Sequence, residues 1–385
     1  MECQECLAHG FLSAVFMMAS VHGLLLVLIL LFSKRLSSKA NRYLALSLLG
    51  MSVILGYEFA YWFGGDEAIP AWIDWLPLYI RTTIPAGIFY FTIYLIQPDH
   101  VLRPIERTGF FAMGLEIVLH LSNHLVPLLF SEEAAQEMAF DYLVLGAWFL
   151  CILTAGILLP IALAKVNQYQ KSLFDNYSTT DRKSLTWLRN YLLAVSVVIL
   201  ISVVSFVQYS LDDWEGSTIS FVIVAIGMVI LLFVIGYFVT LRYTWFEIVA
   251  VKAPEKESNG QEKKLSSKTD GYYQNLKALM TTERLYEDVG LTLENLSEKL
   301  GISSGYLSQI IKDKEQKTFF QFVNHYRVEA VKSKLLDEAF HKYSIMGIAS
   351  DCGFNSKSTF NAVFKKFTGQ TPSAFRKSHQ GIAQP

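Results

Sequence analysis

Four polar side chains near the end of the chain share one face of a predicted helix, and their types suit contact with nucleic acid. They are Lys357, Ser358, Asn361 and Lys365. The opposite face is apolar, because large side chains recur there at helical spacing, namely Phe360, Val363, Phe364 and Phe367. Such a helix packs one face inward and offers the other to a DNA major groove.

The residues before this helix predict a shorter helix and a tight turn. Ile345, Ile348 and Ala349 form a short apolar face, and glycine at 353 can take the positive φ of a turn. Asn355 or Ser356 is the predicted N-cap of the next helix. This order of elements predicts a helix-turn-helix unit, in which one helix packs and the next reads DNA.

These residues resemble the second half of the AraC/XylS-type DNA-binding domain. The shared pattern is GF-x-S-x-S-x-F-x-x-x-FK over residues 353–365, followed by G-x-TP-x-x-x-R over residues 369–376. The resemblance extends over about residues 270–378, which is under a third of the chain. It implies an all-α domain that contains two helix-turn-helix units.

The first half of the same pattern lies upstream. Its apolar positions fall in residues 293–303 and 306–311, and one amphipathic connecting helix is predicted over residues 319–336. The usual glycine of the G-x-x-F turn is missing, because residues 315–318 read Glu-Gln-Lys-Thr. The connecting helix would be roughly 30 Å long, so the two reading helices could enter successive major-groove segments without dimer symmetry.

The resemblance implies that outward side chains at the start of each reading helix touch bases. In this sequence they are Ser304, Ser308, Gln309, Lys357, Ser358, Thr359 and Asn361. Glutamine and asparagine can pair with adenine, and lysine with guanine.

Charge is unevenly distributed over this region. Residues 339–385 carry 6 Lys/Arg against 1 Asp, whereas residues 272–338 carry 9 Lys/Arg against 10 Asp/Glu. Phosphate attraction is therefore expected mainly in the second unit. The candidate phosphate contacts are Lys312, Lys365, Lys366, Arg376 and Lys377.

Seven apolar stretches before residue 245 are long enough to cross a bilayer, since about 20 helical residues span about 30 Å. They lie near residues 10–32, 41–63, 75–97, 108–130, 142–164, 190–210 and 218–241. Helices satisfy their own backbone in lipid, so a seven-helix transmembrane bundle is predicted. The predicted fold class is therefore all-α throughout.

The charges of the connecting loops predict the orientation. Residues 33–42, 98–107 and 165–189 contain 4, 2 and 5 Lys/Arg, whereas the alternate segments contain none and hold 12 Asp/Glu. Positive loops stay in the cytoplasm. The chain is thus expected to be a multi-pass protein of the inner (cytoplasmic) membrane of a bacterium, with its N-terminus outside and its C-terminal domain cytoplasmic.

Three segments are predicted from these patterns. Residues 1–245 form the seven-span sensor domain, residues 246–271 a cytoplasmic linker, and residues 272–380 the AraC-type DNA-binding domain. The linker is polar and charged, so it is interpreted as a flexible tether of about 20 residues. The alternative is a rigid stalk that continues the seventh helix.

Ionisable residues inside the spans indicate a sensor pocket that opens outward. The candidates are Glu58, Arg81, Glu116, His120 and His124. The first two lie at matching depth and could form an ion pair. The alternative is that these groups only hydrogen-bond between helices. The spacing of the two histidines also suits a metal ligand pair, but two histidines on one helix are weak evidence, and no metal or other cofactor is expected.

Taken together, these features predict a membrane-bound, sequence-specific transcription regulator that binds promoter DNA. Its expected partners are double-stranded DNA, the lipid bilayer and an unknown small-molecule or physical stimulus, with RNA polymerase and a second copy of the chain as further candidates. The alternative is a transporter or channel with an appended DNA-binding domain, although only Pro77 and Pro85 in one span suggest broken helices. An enzyme is not expected, because no metalloprotease, phosphate-loop or nucleophile-elbow motif occurs.

Overall fold

The computed structural model describes residues 2–34, 36–64, 80–129, 132–180, 184–211, 218–241 and 266–380, and in these ranges the chain forms helices and no β-strand. The α-helices, numbered here in chain order, are α1 (Glu2–Phe32), α2 (Lys39–Gly64), α3 (Thr83–Ile96), α4 (Thr108–Leu129), α5 (Glu132–Asn176), α6 (Thr186–Leu211), α7 (Thr218–Leu241), α8 (Ser266–Thr281), α9 (Leu293–Leu300), α10 (Ser304–Glu315), α11 (Phe319–Leu336), α12 (Ile345–Asp351), α13 (Lys357–Thr368) and α14 (Pro372–Gln380). Short 3-10 helices lie at Pro104–Arg107, Leu285–Glu287 and Glu338–Phe340. The expectation of an all-α fold is confirmed for the described part of the chain.

The chain divides into two compact units. The bundle unit comprises residues 1–167 and 185–250, and the C-terminal unit comprises residues 168–184 and 251–385. The last turns of α5 and the segment that follows it therefore belong to the C-terminal unit.

Five helical segments of the described residues are long and apolar enough to cross a membrane. They are Gly10–Phe32, Lys39–Phe63, Gly146–Asn176, Thr186–Gln208 and Ile219–Val239. Each overlaps one predicted span. The total of seven spans stays a prediction.

Two helices differ from their predicted spans. Residues 75–79 of the third span lie outside the described residues, and α3 begins only at Thr83 and has 14 residues. Pro85 suits this start, because proline lacks an N–H and is tolerated in the first turn of a helix but not in its interior. In contrast, α5 runs on to Asn176 rather than ending near residue 164. No glycine or proline interrupts residues 161–176, so the helix can continue beyond its apolar part.

All residues of helix α3 are buried. It packs against α2, where Ser47 Oγ donates to the Ile84 carbonyl oxygen over 3.1 Å. A second side-chain bond joins α1 to α2, from Ser20 Oγ to the Ser52 carbonyl oxygen over 2.8 Å. Hydroxyl groups that bond across helices compensate for the weak hydrophobic drive between helices in lipid.

The C-terminal unit has two apolar cores that share α11. Phe319, Phe322 and Val323 pack into the first core with α8, α9 and α10. Further along the same helix, Val328 and Val331 pack into the second core with α12, α13 and α14. The predicted connecting helix over residues 319–336 is thus confirmed, and it supports both cores.

Helix α8 begins at Ser266, before the predicted domain start at residue 272. Two tyrosines give this helix tertiary partners, since the Tyr272 ring lies edge-on to Tyr306 and the Tyr273 hydroxyl donates to Glu315. The sequence interpretation treated residues 266–271 as tether because they are polar. The rest of the predicted linker, residues 246–265, lies outside the described residues.

Candidate functional site

The first helix-turn-helix unit is formed by α9 and α10. Thr292 caps α9 by accepting a hydrogen bond from the Asn295 N–H, and the helix ends at Gly301, whose φ is +67°. Ser303 caps α10 in the same manner. Side-chain oxygens that accept from free N–H groups are the usual start of a helix, and a left-handed glycine is a usual end. These residues fix the angle at which α10 leaves the turn.

The second unit, formed by α12 and α13, is built on the same local rules. Ser344 caps α12, Gly353 lies in the turn with a φ of +91°, and Ser356 caps α13. Of the two predicted caps, Ser356 is therefore the one used. Gly369, with a φ of +77°, ends α13.

The apolar faces predicted for both reading helices are inside. Leu307, Ile310 and Ile311 are buried on α10, and Phe360, Val363 and Phe364 are buried on α13. The candidate base contacts therefore lie on the outer faces. Gln309, Lys357, Ser358 and Asn361 are exposed, whereas Ser304, Ser308 and Thr359 are half-buried.

Candidates in both units have structural partners. The hydroxyl of Ser304 lies 2.9 Å from the hydroxyl of Ser297 on α9, so it helps to hold the two helices of the first unit together. The hydroxyl of Ser358 lies 2.8 Å from that of the N-cap Ser356. Gln309 and Lys312 remain exposed further along α10. At the start of the second reading helix, Lys357 and Asn361 are exposed, whereas Ser304 and Ser308 of the first are half-buried.

The candidate phosphate contacts also differ in exposure. Lys312, Lys365, Lys366 and Lys377 are exposed, and the three of these at the end of the chain lie on α13 and α14. Arg376, by contrast, is half-buried and donates to the backbone carbonyl oxygens of Phe340, His341 and Tyr343. The sequence did not indicate this second role, in which Arg376 fastens α14 to the loop before α12.

The missing glycine is replaced by a strained residue. Gln316 ends α10 with a φ of +54°, in the left-handed region that glycine would adopt more easily. Thr318 then caps α11 by accepting from the Gln321 N–H, and the Thr318 N–H donates to Gln321 Oε1. The turn expected from the family pattern is thus retained without its glycine, and the capping box helps to hold it.

Arg327 is a key residue that the sequence reasoning missed. Its side chain is fully buried on α11, and Nε and Nη2 donate to the carbonyl oxygens of Tyr286 and Asp288 over 2.7 and 2.8 Å. Nη1 donates to the Ser178 carbonyl oxygen over 3.1 Å. Burial lowers the pKa of Arg327 to about 10, and the charge of Asp288 opposes that shift. A signal was present, because an arginine stood at helical spacing between Val323 and Val331 on an apolar face.

In the bundle unit, Arg81 and two of the predicted carboxylates interact. Arg81 lies within electrostatic range of Glu58 and Glu116, and Glu116 also accepts from the N–H of Thr82 over 3.3 Å. Glu116 is buried, whereas Glu58 and Arg81 are partly buried. The side chains of His120 and His124 lie outside the described residues.

The same arginine lines a small apolar pocket of about 40 Å³ inside the bundle unit. Its guanidinium carbon lies 4.2 Å from the centre of the Trp148 ring, which forms another wall. Met51, Ile54 and Ile199 are further lining residues. Among the described residues, Nε of Arg81 has no hydrogen-bond partner. The pocket thus combines apolar walls with one unsatisfied donor.

Comparison with known proteins places the C-terminal unit in a family. A family model described as a helix-turn-helix domain matches residues 296–378. A probable transcription factor of Proteus vulgaris, PqrA, is 35% identical over 96 residues, which are 25% of this chain and 75% of that protein. The melibiose operon regulatory protein of Escherichia coli (strain K12) is 31% identical over 93 residues, which are 24% of this chain and 30% of that protein.

Other similar proteins share only this region. An uncharacterized HTH-type transcriptional regulator of Staphylococcus aureus (strain COL) is 35% identical over 94 residues, and the chain covers only 12% of its length. A solved structure of a protein of unknown function from Listeria innocua is 31% identical and is matched over 28% of this chain and 97% of its own, with a TM-score of 0.25. The match to PqrA extends over most of that protein at substantial identity. Through its C-terminal domain, the chain therefore belongs to the AraC-type family of helix-turn-helix transcription regulators.

Proposed function

We propose that this chain is a membrane-embedded transcription regulator, which senses a stimulus with its bundle and binds promoter DNA with two helix-turn-helix units. The proposal is carried by the presence, among the described residues of one chain, of five helices long enough to span a bilayer and two capped reading helices with exposed polar faces. The fusion of both parts in one chain supports control of DNA binding by events at the membrane. The C-terminal domain would lie in the cytoplasm of a bacterial cell.

DNA recognition is assigned mainly to the second unit. Lys357 and Asn361 are exposed at the start of α13 and have the donor and acceptor groups that read guanine and adenine in the major groove. Lys365 and Lys366 follow on the same helix and would contact phosphates. The first unit would add contacts from Gln309 and Lys312. RNA polymerase and a second copy of the chain are proposed as further partners at the promoter.

Sensing is assigned to the pocket beside Arg81. Its walls are apolar, and the free Nε donor is well placed for one hydrogen-bond acceptor. A buried donor without a partner is costly, so a bound acceptor would be favoured there. The ligand class that fits best is a mainly apolar molecule with one acceptor group, which reaches the site through the bilayer or from outside the cell.

Chromatin immunoprecipitation of the intact protein tests the regulator assignment. Enrichment of a limited set of promoters is expected. A transporter with an appended domain would enrich none, and that result would remove the proposal.

A paired substitution tests the pocket. Ile199→Trp would fill it, whereas Leu200→Trp on the next residue adds the same bulk to an exposed position. With transcription from an enriched promoter as readout, Ile199→Trp and Arg81→Gln should change the output, and Leu200→Trp should leave it unchanged. Equal output from all three variants and the parent would exclude this pocket as the sensor.

A further inference from the structure

A short segment at the end of α5 is built into the DNA-binding domain. Residues 174–179, called here the clip, begin in the last turn of α5, at the end of the candidate span Gly146–Asn176, and precede α6. The clip belongs to the same compact unit as the two helix-turn-helix units, although it lies more than a hundred residues away in sequence. Its sequence, Phe-Asp-Asn-Tyr-Ser-Thr, gave no sign of this.

The clip lies along the segment that leads into the first helix-turn-helix unit. Tyr177 and Thr292 form an isolated antiparallel bridge, and the N–H and Oγ of Ser178 both donate to the Leu291 carbonyl oxygen, over 3.3 and 2.7 Å. Thr179 Oγ1 adds a bond of 3.1 Å to the carbonyl oxygen of Val289. Thr292 is also the N-cap of α9. The clip therefore holds the start of the first unit.

The clip also reaches the connecting helix. Ser178 is 1% exposed, and its carbonyl oxygen accepts from Arg327 Nη1 and from Asn324 Nδ2, each over 3.1 Å. Its Oγ accepts from Arg327 Nη2 over 3.2 Å. The ring of Phe174 packs edge-on against Phe320, with centroids 5.1 Å apart. Ser178 thus supplies two of the acceptors that satisfy a fully buried guanidinium.

Arg327 joins the segment before the first helix-turn-helix unit to the turn of the second. It donates to the carbonyl oxygens of Tyr286 and Asp288, which precede α9, and a Cβ on Gly353 of the second unit would stand only 2.8 Å from its Nε. Burying a charge is costly unless its hydrogen bonds are complete. If the clip left, Arg327 would lose its bonds to Ser178, and the junction would loosen.

We infer that the clip is an intramolecular docking segment, which holds the two helix-turn-helix units in the arrangement that binds DNA. A protein that contacts two major-groove segments needs its two reading helices at a fixed spacing. A rigid contact around Arg327 therefore favours DNA binding. Because the clip is covalently continuous with α5 and α6, a movement of these helices that pulls it away would lower DNA affinity. This inference rests on the proposed function, since it assigns a route by which the bundle controls the DNA-binding domain.

Cysteine crosslinking of the full-length chain in nanodiscs tests the docking itself. Paired residues of an antiparallel bridge have Cα atoms about 4.5–5.5 Å apart, which suits a disulfide. On oxidation, the double variant Tyr177→Cys with Thr292→Cys should give a 177–292 crosslink in peptide mass spectra. The control pair, Ser172→Cys with Thr292→Cys, should not. Absence of the 177–292 crosslink, or equal crosslinking of both pairs, would overturn the docking.

DNA affinity tests the consequence of docking. The probe is the duplex most enriched by immunoprecipitation of the intact protein, and titrations follow its fluorescence anisotropy. Ser178→Pro removes the N–H and the hydroxyl of residue 178 and should weaken binding about tenfold, the equivalent of one lost hydrogen bond to a charged group. Ser178→Ala should weaken it less. Ser172→Ala, which removes a hydroxyl that bonds only within α5 among the described contacts, should bind like the parent.

Two further results separate docking from misfolding. Hydrogen exchange should rise in residues 286–292 of the Ser178→Pro protein and stay unchanged in α13. Adding the 177–292 disulfide to Ser178→Pro should restore affinity. Unchanged or tighter binding by Ser178→Pro, or failure of the disulfide to restore it, would refute the assigned role. If the parent protein bound no duplex, the proposed function would fail, whereas the crosslink would still report on docking.

Discussion

Gly353 of the second helix-turn-helix unit approaches the carbonyl oxygen of Tyr286, in the segment before the first unit, so closely that a Cβ atom on residue 353 would clash with that oxygen. The same residue has a φ of +91°, which side chains rarely adopt. Gly353→Ala should therefore lower the free energy of unfolding by at least about 2 kcal/mol, from backbone strain and overpacking together.

A matched control separates these two causes. Gly301 also has a positive φ, of +67°, but nothing lies within 4 Å of a Cβ built there. Gly301→Ala should cost only about 1 kcal/mol, from the backbone alone. Hydrogen exchange of α9 to α13 in the full-length protein measures the loss of stability in both variants. Equal protection in the two would contradict a close contact at residue 353.

Gln316 should be a site at which glycine stabilises the protein. Its φ of +54° is strained for a side chain, so Gln316→Gly should raise stability by about 1 kcal/mol. Lys317→Gly, at the next position and without a positive φ, should lower stability instead. Hydrogen exchange of α10 and α11 reports the sign of each change. A destabilising Gln316→Gly would show that its side chain matters more than its backbone.

Substitutions on α13 should separate base reading from phosphate attraction. Asn361→Ala should relax discrimination at one base pair by about 1–3 kcal/mol, because asparagine pairs with adenine. Lys365→Ala should weaken binding to all duplexes alike. It should also reduce, by about 1, the steepness with which the logarithm of the binding constant falls against the logarithm of the salt concentration. Lys332→Ala, on α11 and paired with Glu329, is the control. Fluorescence anisotropy titrations at several salt concentrations measure these affinities. Identical affinities and salt dependences for all three variants would exclude α13 from the DNA interface.

Close packing around α3 predicts a sensitive position in the bundle unit. A Cβ on Gly87 would lie 2.7 Å from the carbonyl oxygen of Tyr43 and 2.8 Å from Ser47 Cβ, whereas nothing lies within 4 Å of one on Gly156. Small residues let helix backbones approach in lipid. Gly87→Ala should lower the melting temperature of the detergent-solubilised protein by several degrees, an effect of about 1–3 kcal/mol. Gly156→Ala should change it little. Similar melting of both variants would argue against α2–α3 packing as described.

The loop before α4 is expected to depend on the charge of Glu106. Burial opposes ionisation of this carboxyl, but bonds from the Arg103 N–H, His100 and the Arg103 guanidinium outweigh it and lower the pKa to about 2. A lowered pKa means that this stabilisation is present above the usual value of 4.5 and is lost as pH falls towards about 2. Glu106→Gln should mimic that loss at neutral pH.

Proteolysis of inverted membrane vesicles measures the effect. Trypsin should cut faster after Arg107 in Glu106→Gln than in the parent at pH 7. Pepsin should cut residues 98–107 of the parent increasingly as pH falls from about 4.5 to about 2. Equal trypsin rates in both proteins would show that Glu106 does not hold the loop.

Local rules were enough to predict much of the C-terminal unit. The helix-turn-helix units and the connecting helix were predicted from short-range signals. These signals are caps such as Ser356, turn glycines such as Gly353 and the apolar spacing along α11. Contacts between distant residues leave no such trace. The bond from Arg327 to Ser178 joins positions 149 apart, and the bonds of Arg376 lie on backbone carbonyls, which any sequence would offer.

The bundle was less predictable, for a physical reason. Hydropathy reports only that a stretch is apolar, so it predicted the approximate places of the apolar helices but not the ends of α3 and α5. The late end of α5 mattered most, because its last turns lead into the clip. The polar composition of residues 266–271 led to their assignment to the linker. They are helical because α8 is held by contacts of Tyr272 and Tyr273 with α10, and composition does not report such contacts.

Binding of DNA to oriented membrane vesicles tests the central claim most directly. Inverted and right-side-out vesicles that contain the full-length protein are mixed with the fluorescent duplex recovered by immunoprecipitation and then sedimented. Inverted vesicles should retain the duplex in a salt-dependent manner, and right-side-out vesicles should retain none until they are permeabilised. Retention by right-side-out vesicles alone, or by neither kind, would contradict a membrane-embedded regulator with a cytoplasmic DNA-binding domain.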